Sequence, residues 1–304
     1  MLSGILLLDK PLGLSSNAAL QRVKRALGAS KAGHVGSLDP LATGMLPICL
    51  GEATKVAGDI LSGRKGYRFT LRRGERTATG DAEGEVIERA ALPALDAKRI
   101  ARALAGFCGP QSQVPPMYSA IKQAGQPLYK LARAGIEVAR AARDIEIFAF
   151  SLRGFDARSL ELEVICSKGT YVRTLAEDLA RRLGSCGHLV QLRRQFVEPF
   201  ADQPMWELGA IEAAGLAGRL PPLIPPGDAL AGLPAVTLDL AQLARVRHGH
   251  AVDAPGLPAA PRVRLYGPQA QFLGIGECDG RGRVQPRRLL AEPPSSLVST
   301  GVSE

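Results

Sequence analysis

Apolar positions along the chain repeat with two different periods, and the two alternate from end to end. The stretch Gly4 to Lys10 is a short apolar run that reads as a buried strand. Ser15, Ser16 and Asn17 then offer N-caps to a helix with Leu20, Val23 and Leu27 on one side and Gly28 as its stop. The opposite side of that helix carries Gln21, Arg22, Lys24 and Arg25. Tyr67 to Leu71 reads as a strand, followed by a turn-rich segment from Thr77 to Gly84. Asp96 caps a predicted helix with Ile100, Leu104 and Phe107 at helical spacing, whereas Asp144 to Leu152 and Leu160 to Cys166 alternate like half-buried strands of a hairpin. Beyond Ser167, the leucines Leu175, Leu179 and Leu183 recur every four residues, with Gly184 as the stop, which puts Tyr171 and Arg173 at a strand-to-helix junction.

The pattern breaks between Gly215 and Pro234, where Pro221, Pro222, Pro225, Pro226 and Pro234 interrupt any regular element. A domain boundary is expected there, separating a mixed α+β domain over residues 1–220 from a small domain over 234–290. Strand-like pieces near Arg262–Tyr266, Gln271–Ile275 and Arg283–Gln285, separated by Gly and Asp turns, make that second domain β. The tail over 291–304 is expected to be disordered.

Composition narrows the class of partner. The 304 residues carry a formal net charge of +9, which favours a polyanion without deciding among RNA, DNA and an anionic membrane. Arg64, Lys65, Arg68, Arg72, Arg73 and Arg76 crowd around the Tyr67 strand, a setting suited to phosphate. The five cysteines are scattered and form no Cys-x-x-Cys pair, so neither a disulfide framework nor a zinc ribbon is expected. No cleavable leader and no uninterrupted apolar run of membrane-spanning length is read, and a soluble cytoplasmic protein is expected.

Candidate chemistry centres on Gly33 to Leu46, where Asp39 is the one carboxylate in an uncharged, Gly- and Pro-punctuated loop. Gly33, Gly36 and Gly44 permit tight or positive-φ turns, and Pro40 restricts the backbone of Asp39 itself. A lone Asp before Pro is ordinarily a turn residue. His34, Tyr67 and Arg173 are individually weak signals. A hydrolase using Asp39 as nucleophile would need an activated water and a leaving-group stabiliser, and the chain shows neither phosphate loop nor second carboxylate for them. His248 and His250 lack a third ligand nearby, so no metal is assigned, and His188 reads as structural.

Several segments occur together and in order: Leu7-Leu8-Asp9-Lys10-Pro11 with Ser15-Ser16-Asn17, Gly33 to Leu46, Gly51-Glu52-Ala53-Thr54-Lys55, Pro116-Met117-Tyr118-Ser119-Ala120, and Ser167 to Thr174. Together they closely resemble the bacterial tRNA pseudouridine-55 synthases of the TruB family across residues 4 to about 205. The stretches Phe272 to Gly276 and Pro286 to Leu289 look like the PUA-type RNA-binding domain that follows in this family. The resemblance implies a pseudouridine synthase fold, a mixed and largely antiparallel sheet with flanking helices, and conversion of a T-loop uridine of tRNA to pseudouridine without cofactor or metal. It makes Asp39, Tyr67 and Arg173 the catalytic residues, with Arg173 holding Asp39 ionised and Tyr67 stacking on the base. His34 would fill the space left in the RNA stack, Tyr171 and Leu192 would line the uracil pocket, and Lys10, Lys55 and Lys168 would contact the backbone, with a purely structural role the alternative for Lys10 and Lys168. A basic insertion over about 111–140 would close on the RNA, and a monomer is the default. The segment matches with two departures, Ala78 where relatives often carry an acid and Gln195-Phe196 after Arg193-Arg194, the first of which leaves a supporting role for the Asp81 loop in doubt. A tRNA-binding or tRNA-folding protein without catalysis is the alternative.

Overall fold

The structure is a computed structural model that describes residues 2–123, 125–254 and 261–291. A nine-stranded sheet forms its centre. The first four strands are β1 (Gly4–Lys10), β2 (Ala32–His34), β3 (Ala42–Leu50) and β4 (Lys65–Arg73). Across the sheet the order runs Trp206–Glu207, β1, β3, Gly187–Val197, β4, Ser159–Cys166, Arg143–Phe155 and Gly109–Gln113, with β2 also on β3. Only two pairings are parallel, those of β1 with Trp206–Glu207 and of β3 with Gly187–Val197, so the sheet is mixed and largely antiparallel.

One face of this sheet is covered by four helices, α1 (Ser16–Ala26), Ala97–Ala105, Val172–Arg182 and Leu208–Leu216, and the main core lies between them. Tyr67, Phe69 and Leu71 of β4 point into that core while Arg68 and Arg72 between them stay exposed, the period of two that one covered face imposes. The β1–β3 end differs. There Leu6 and Leu8 face the helices, whereas Ile5, Leu7, Met45 and Cys49 join a second cluster with Val56, Ile60, Phe200 and Ile275. Burial on both faces is why β1 and β3 are apolar at nearly every position rather than alternating.

The second sheet has five strands, ordered Ala235–Thr237, Arg262–Tyr266, Phe272–Cys278, Arg283–Leu289 and Val252–Asp253, over a separate core with the helix Leu240–Arg247. Asp239 starts that helix with a reciprocal capping box to Gln242. The Pro-rich stretch between the two sheets lies along the first one, since Ile224 exchanges two backbone hydrogen bonds of 2.9 Å with Ile5. Residues 292–304, expected as a disordered tail, lie outside the described residues.

Two expectations change. The stretch Gly33 to Leu46 is not a loop throughout: it begins in β2 and ends in β3, leaving only 35–41 irregular. Gly44 hid the strand, yet it belongs there, because a Cβ at its φ of 98° would meet the Arg194 carbonyl oxygen at 2.1 Å. The basic insertion also begins later than expected, since Gln111 to Gln113 sit in the main sheet with Gln113 paired to Arg143. The paired ends leave 114–142 as the excursion, which contains a helix at Leu128–Arg133. Among the described residues no helix is long and apolar enough to cross a membrane.

Candidate active site around Asp39

Asp39 sits on the short turn between β2 and β3, and that turn is anchored on both sides. The Ser16 hydroxyl, at the start of α1, donates to the Leu38 carbonyl at 3.0 Å and accepts from the Leu38 N–H at 2.7 Å. Gly13 N–H donates to the Pro40 carbonyl at 2.8 Å, and Ala42 N–H donates to the Asp39 carbonyl at 3.0 Å. From the other side Arg194 donates to the Gly36 carbonyl at 2.9 Å and to the Met45 carbonyl at 2.7 Å. The Asp39 side chain itself keeps 42% of its surface open to a cleft of about 630 Å³. A fixed backbone and an accessible carboxylate are what a reacting aspartate requires.

Arg173 is the partner that matters most. It lies in the first turn of the helix Val172–Arg182, its side chain 5% exposed, with Nε 3.0 Å from Asp39 Oδ2. Its two terminal nitrogens donate to the carbonyls of Thr79 at 2.8 Å and Tyr118 at 2.6 Å, which fixes the plane of the guanidinium. Asp81, buried, places Oδ2 3.7 Å from the same Nε and accepts from the Thr79 hydroxyl at 2.6 Å and from the Glu83 N–H at 3.1 Å. The loop whose supporting role was in doubt therefore supplies Arg173 with both a carbonyl and a second carboxylate. Burial pushes the Asp39 carboxyl above its ordinary value, Arg173 opposes this, and the charge of Asp81 adds to it.

Tyr67 and Leu192 form the wall of the cleft from neighbouring strands, and Tyr171 and Lys168 lie on its rim. Tyr67 is 7% exposed; burial raises its phenol, and Arg194, in hydrogen-bond contact, opposes that rise. Tyr171 immediately precedes the Arg173 helix, and Gln113 pins its backbone by accepting from the N–H at 2.8 Å and donating to the carbonyl at 3.2 Å. Lys168 is exposed and lines the cleft, with Nζ 3.3 Å from the Ser62 hydroxyl.

Three expected RNA contacts stand elsewhere. Lys10 is fully buried, and its ammonium donates to the carbonyls of Leu14 at 2.6 Å, Pro11 at 2.9 Å and Pro40 at 3.4 Å. It has no surface to offer a phosphate and instead ties β1 to the Asp39 turn. Lys55 binds Glu52 at 2.7 Å and donates to the Leu289 carbonyl at 2.8 Å, while Arg288 donates to the Lys55 carbonyl at 2.8 Å. Its ammonium joins the turn after β3 to the second sheet. His34 ends β2, half-buried and outside the cleft lining, with Nδ1 lacking a hydrogen-bond partner among the described residues.

Arg194 was not anticipated, and Lys65 was read only as one of the cations around the Tyr67 strand; both line the cleft. Arg194 shares the inward side of its strand with Leu192, and a cation at an apolar position of an alternating strand is the signal that could have marked it. Lys65 is 4% exposed, donates to the carbonyls of Leu61 and Gly63, and is lowered by burial to about 8.

A large, largely antiparallel sheet with its helices on one face, a fixed aspartate–arginine pair in a central cleft and a second β unit define the class of pseudouridine synthase-fold proteins. Solved structures of that architecture superpose on the chain: a Cbf5–Nop10–Gar1 complex (TM-score 0.68, 24% identity, 90% of this chain and 78% of that one) and an archaeal box H/ACA Nop10–Cbf5 complex (TM-score 0.70, 21% identity, 94% and 85%). At that identity they speak for the fold alone. Family models match in sequence, namely the TruB family pseudouridylate synthase N-terminal domain over 24–172, the tRNA pseudouridylate synthase B C-terminal domain over 173–230 and the pseudouridine synthase II TruB C-terminal domain over 234–290. Proteins called tRNA pseudouridine synthase B from Aromatoleum aromaticum (51% identity over 96% of this chain and 94% of that one) and Nitrosococcus oceani (50%, 94% and 94%) are similar along nearly all of their length. The chain belongs to the TruB family of pseudouridylate synthases.

Proposed function

We propose that this protein isomerises a uridine of tRNA to pseudouridine, and that its target is position 55 in the T loop. The observation that carries the chemistry is the Asp39–Arg173 contact of 3.0 Å at the bottom of a cleft roomy enough for a nucleotide. A uridine stacked inside a folded loop is out of reach of that carboxylate, so the base must be extruded into the cleft at a cost of a few kcal/mol, offset by stacking and edge hydrogen bonds. Tyr67 supplies the stacking surface, and Leu192 and Tyr171 bound the base. The glycosidic bond then breaks with Asp39 ionised beside Arg173, the uracil turns, and it is rejoined to the ribose through carbon five. The reading needs no cofactor, and the protein acts as a monomer in the cytoplasm. Lys168 on the rim is placed to meet the RNA backbone.

The decisive experiment is pseudouridine formation in an unmodified tRNA transcript, mapped to the nucleotide, with this protein and its Asp39→Asn variant. Product at the T-loop uridine from the unaltered protein alone supports both reaction and carboxylate. Tight binding by both with product from neither would leave a tRNA-binding protein and overturn the catalytic reading.

A further inference from the structure

The strand Gly187–Val197 lies between β3 and β4, and one side chain on it reaches to both. Arg194 stands opposite Gly44 of β3 and Tyr67 of β4. It is 1% exposed, and its bonds go to no carboxylate among the described residues. Towards β3, Nε donates to the Met45 carbonyl at 2.7 Å, and one terminal nitrogen donates to the carbonyls of Gly36 at 2.9 Å and Val35 at 3.4 Å. Towards β4, the guanidinium is in hydrogen-bond contact with the Tyr67 phenol. Two glycines make room for it. At Gly44 a Cβ would strike the Arg194 carbonyl oxygen, and at Gly36, with a φ of 71°, a Cβ would come within 3.2 Å of the other terminal nitrogen.

Burying a cation this completely without a counter-charge is costly. Anchoring the Asp39 turn alone does not call for it, since Ser16, Gly13 and Ala42 already hold that turn by hydrogen bonds. What Arg194 adds is a tie between the turn and the strand that carries Tyr67. A planar guanidinium suits this, because its donors keep fixed directions relative to one another, whereas a lysine ammonium is one point on a flexible stem. On the reading that a uridine is isomerised, on which this step rests, the base lies on the Tyr67 ring while its bond to the ribose is opened and remade beside Asp39. The separation of ring and carboxylate then sets how well the reacting atoms meet, and a misplacement of about 1 Å costs on the order of a hundredfold in rate.

We infer that Arg194 is a positioning residue for this reaction, a strut that fixes the Tyr67 ring and hydroxyl relative to the turn carrying Asp39. Its donors are spent on the protein, so it acts on the chemical step and not on the affinity for RNA. The link has two ends, the guanidinium and the phenol oxygen, and breaking it at either end has the same consequence.

The test is a double-mutant cycle of Arg194→Lys and Tyr67→Phe in the full protein, read by single-turnover pseudouridine formation in a tRNA transcript and by binding of that transcript. Each single change should slow the chemical step on the order of a hundredfold with affinity kept within about twofold. The double variant should fall within about threefold of the slower single one, because both changes break one link. Losses that multiply would overturn the strut, and so would an Arg194→Lys rate within about threefold of that of the unaltered protein. A second measurement leaves Arg194 in place and uses no RNA. The Ala42 N–H, bonded to the Asp39 carbonyl, should exchange its hydrogen on the order of tenfold faster in Tyr67→Phe, where the turn has lost its tie to β4. Unchanged exchange there would also overturn the strut, whether or not Arg194→Lys folds. Turnover by the unaltered protein, lost in Asp39→Asn, is read in the same kinetic assay, so failure of the strut is distinguishable from failure of the enzymatic reading.

Discussion

Nε of Arg173 lies 3.0 Å from Oδ2 of Asp39 and 3.7 Å from Oδ2 of Asp81, so one buried cation serves two carboxylates. Only one of them is open to a substrate. The Asp39 side chain keeps 42% of its surface open to the cleft, whereas that of Asp81 keeps 5% and is held by Thr79 and the backbone of Glu83. Asp81 thus orients Arg173 and at the same time raises the Asp39 carboxyl by like-charge repulsion.

That sharing predicts opposite pH shifts from the two neighbours. The Asp39 carboxyl lies above its ordinary value, so on the proposed mechanism, in which it reacts ionised, the acid limb of the single-turnover rate should lie above that of a free aspartate. Arg173→Met removes the stabilising charge and should move the limb further up while slowing the reaction on the order of a hundredfold or more at neutral pH. Asp81→Asn keeps the acceptor for Thr79 and Glu83 but removes the competing charge, so the limb should move down. Rates measured from about pH 4.5 to 8 decide this, and an unmoved limb in Asp81→Asn would show that the two carboxylates are not coupled.

Tyr67 presents two separable features, a ring facing the cleft and a hydroxyl against Arg194. Tyr67→Phe keeps the ring and loses the hydroxyl. Affinity for tRNA should stay within about twofold while the chemical step slows on the order of a hundredfold, the range usual for loss of a positioned proton-transfer group. Filter binding beside single-turnover kinetics separates the two, and equal losses in both would mean that the hydroxyl only shapes the pocket.

What could be read in the sequence was what is local. The strand Gly4–Lys10, the Ser15-capped helix and the leucine repeat behind Arg173 each follow from a period carried by neighbouring residues, and each is present. The strand Ala42–Leu50 was hidden because Gly44, read as a turn residue, sits inside it; Gly44 is there to let the Arg194 backbone approach. The placement of cations was the least legible. Lys10 finds a carbonyl 30 positions away and Lys55 one 234 positions away, and no pattern in the chain foretells such partners. Asp39 could be picked out because its loop is uncharged, but that its arginine also answers to Asp81 required the fold to bring Thr77–Gly84 beside the helix.

Lys55 gives a further prediction. Its ammonium reaches the Leu289 carbonyl and Arg288 reaches back to the Lys55 carbonyl, beside an Arg262–Asp59 ion pair of 2.5 Å. Lys55→Met should therefore loosen the second sheet's last strand, costing about 1 kcal/mol locally. Hydrogen exchange at Leu289 to Ala291 should speed up, while the salt slope of tRNA binding stays as it was. A slope reduced by about one with unchanged exchange would instead mean that this lysine holds a phosphate.

Stability in mild alkali should follow four buried groups whose protons are held differently in the fold and in the unfolded chain. Lys10 and Lys65 are lowered by burial to about 8 from an ordinary 10.5. Between those values the unfolded chain binds protons that the folded one does not, so stability rises with pH. Cys49 and Cys166 are raised by burial to about 12 and about 11 from an ordinary 9.0, so above pH 9 the folded chain holds protons that the unfolded one releases, and stability falls. The opposing windows give a rise from pH 8 to 9, a near-level stretch to about 10, and a decline beyond it, where the buried phenols Tyr67 and Tyr171 act in the same direction as the thiols. Urea melts from pH 7.5 to 10.5 would trace this profile. Lys65→Met should remove about half of the rise between pH 8 and 9 and leave the alkaline decline in place; a rise of unchanged size in that variant would mean that the Lys65 ammonium keeps its proton throughout.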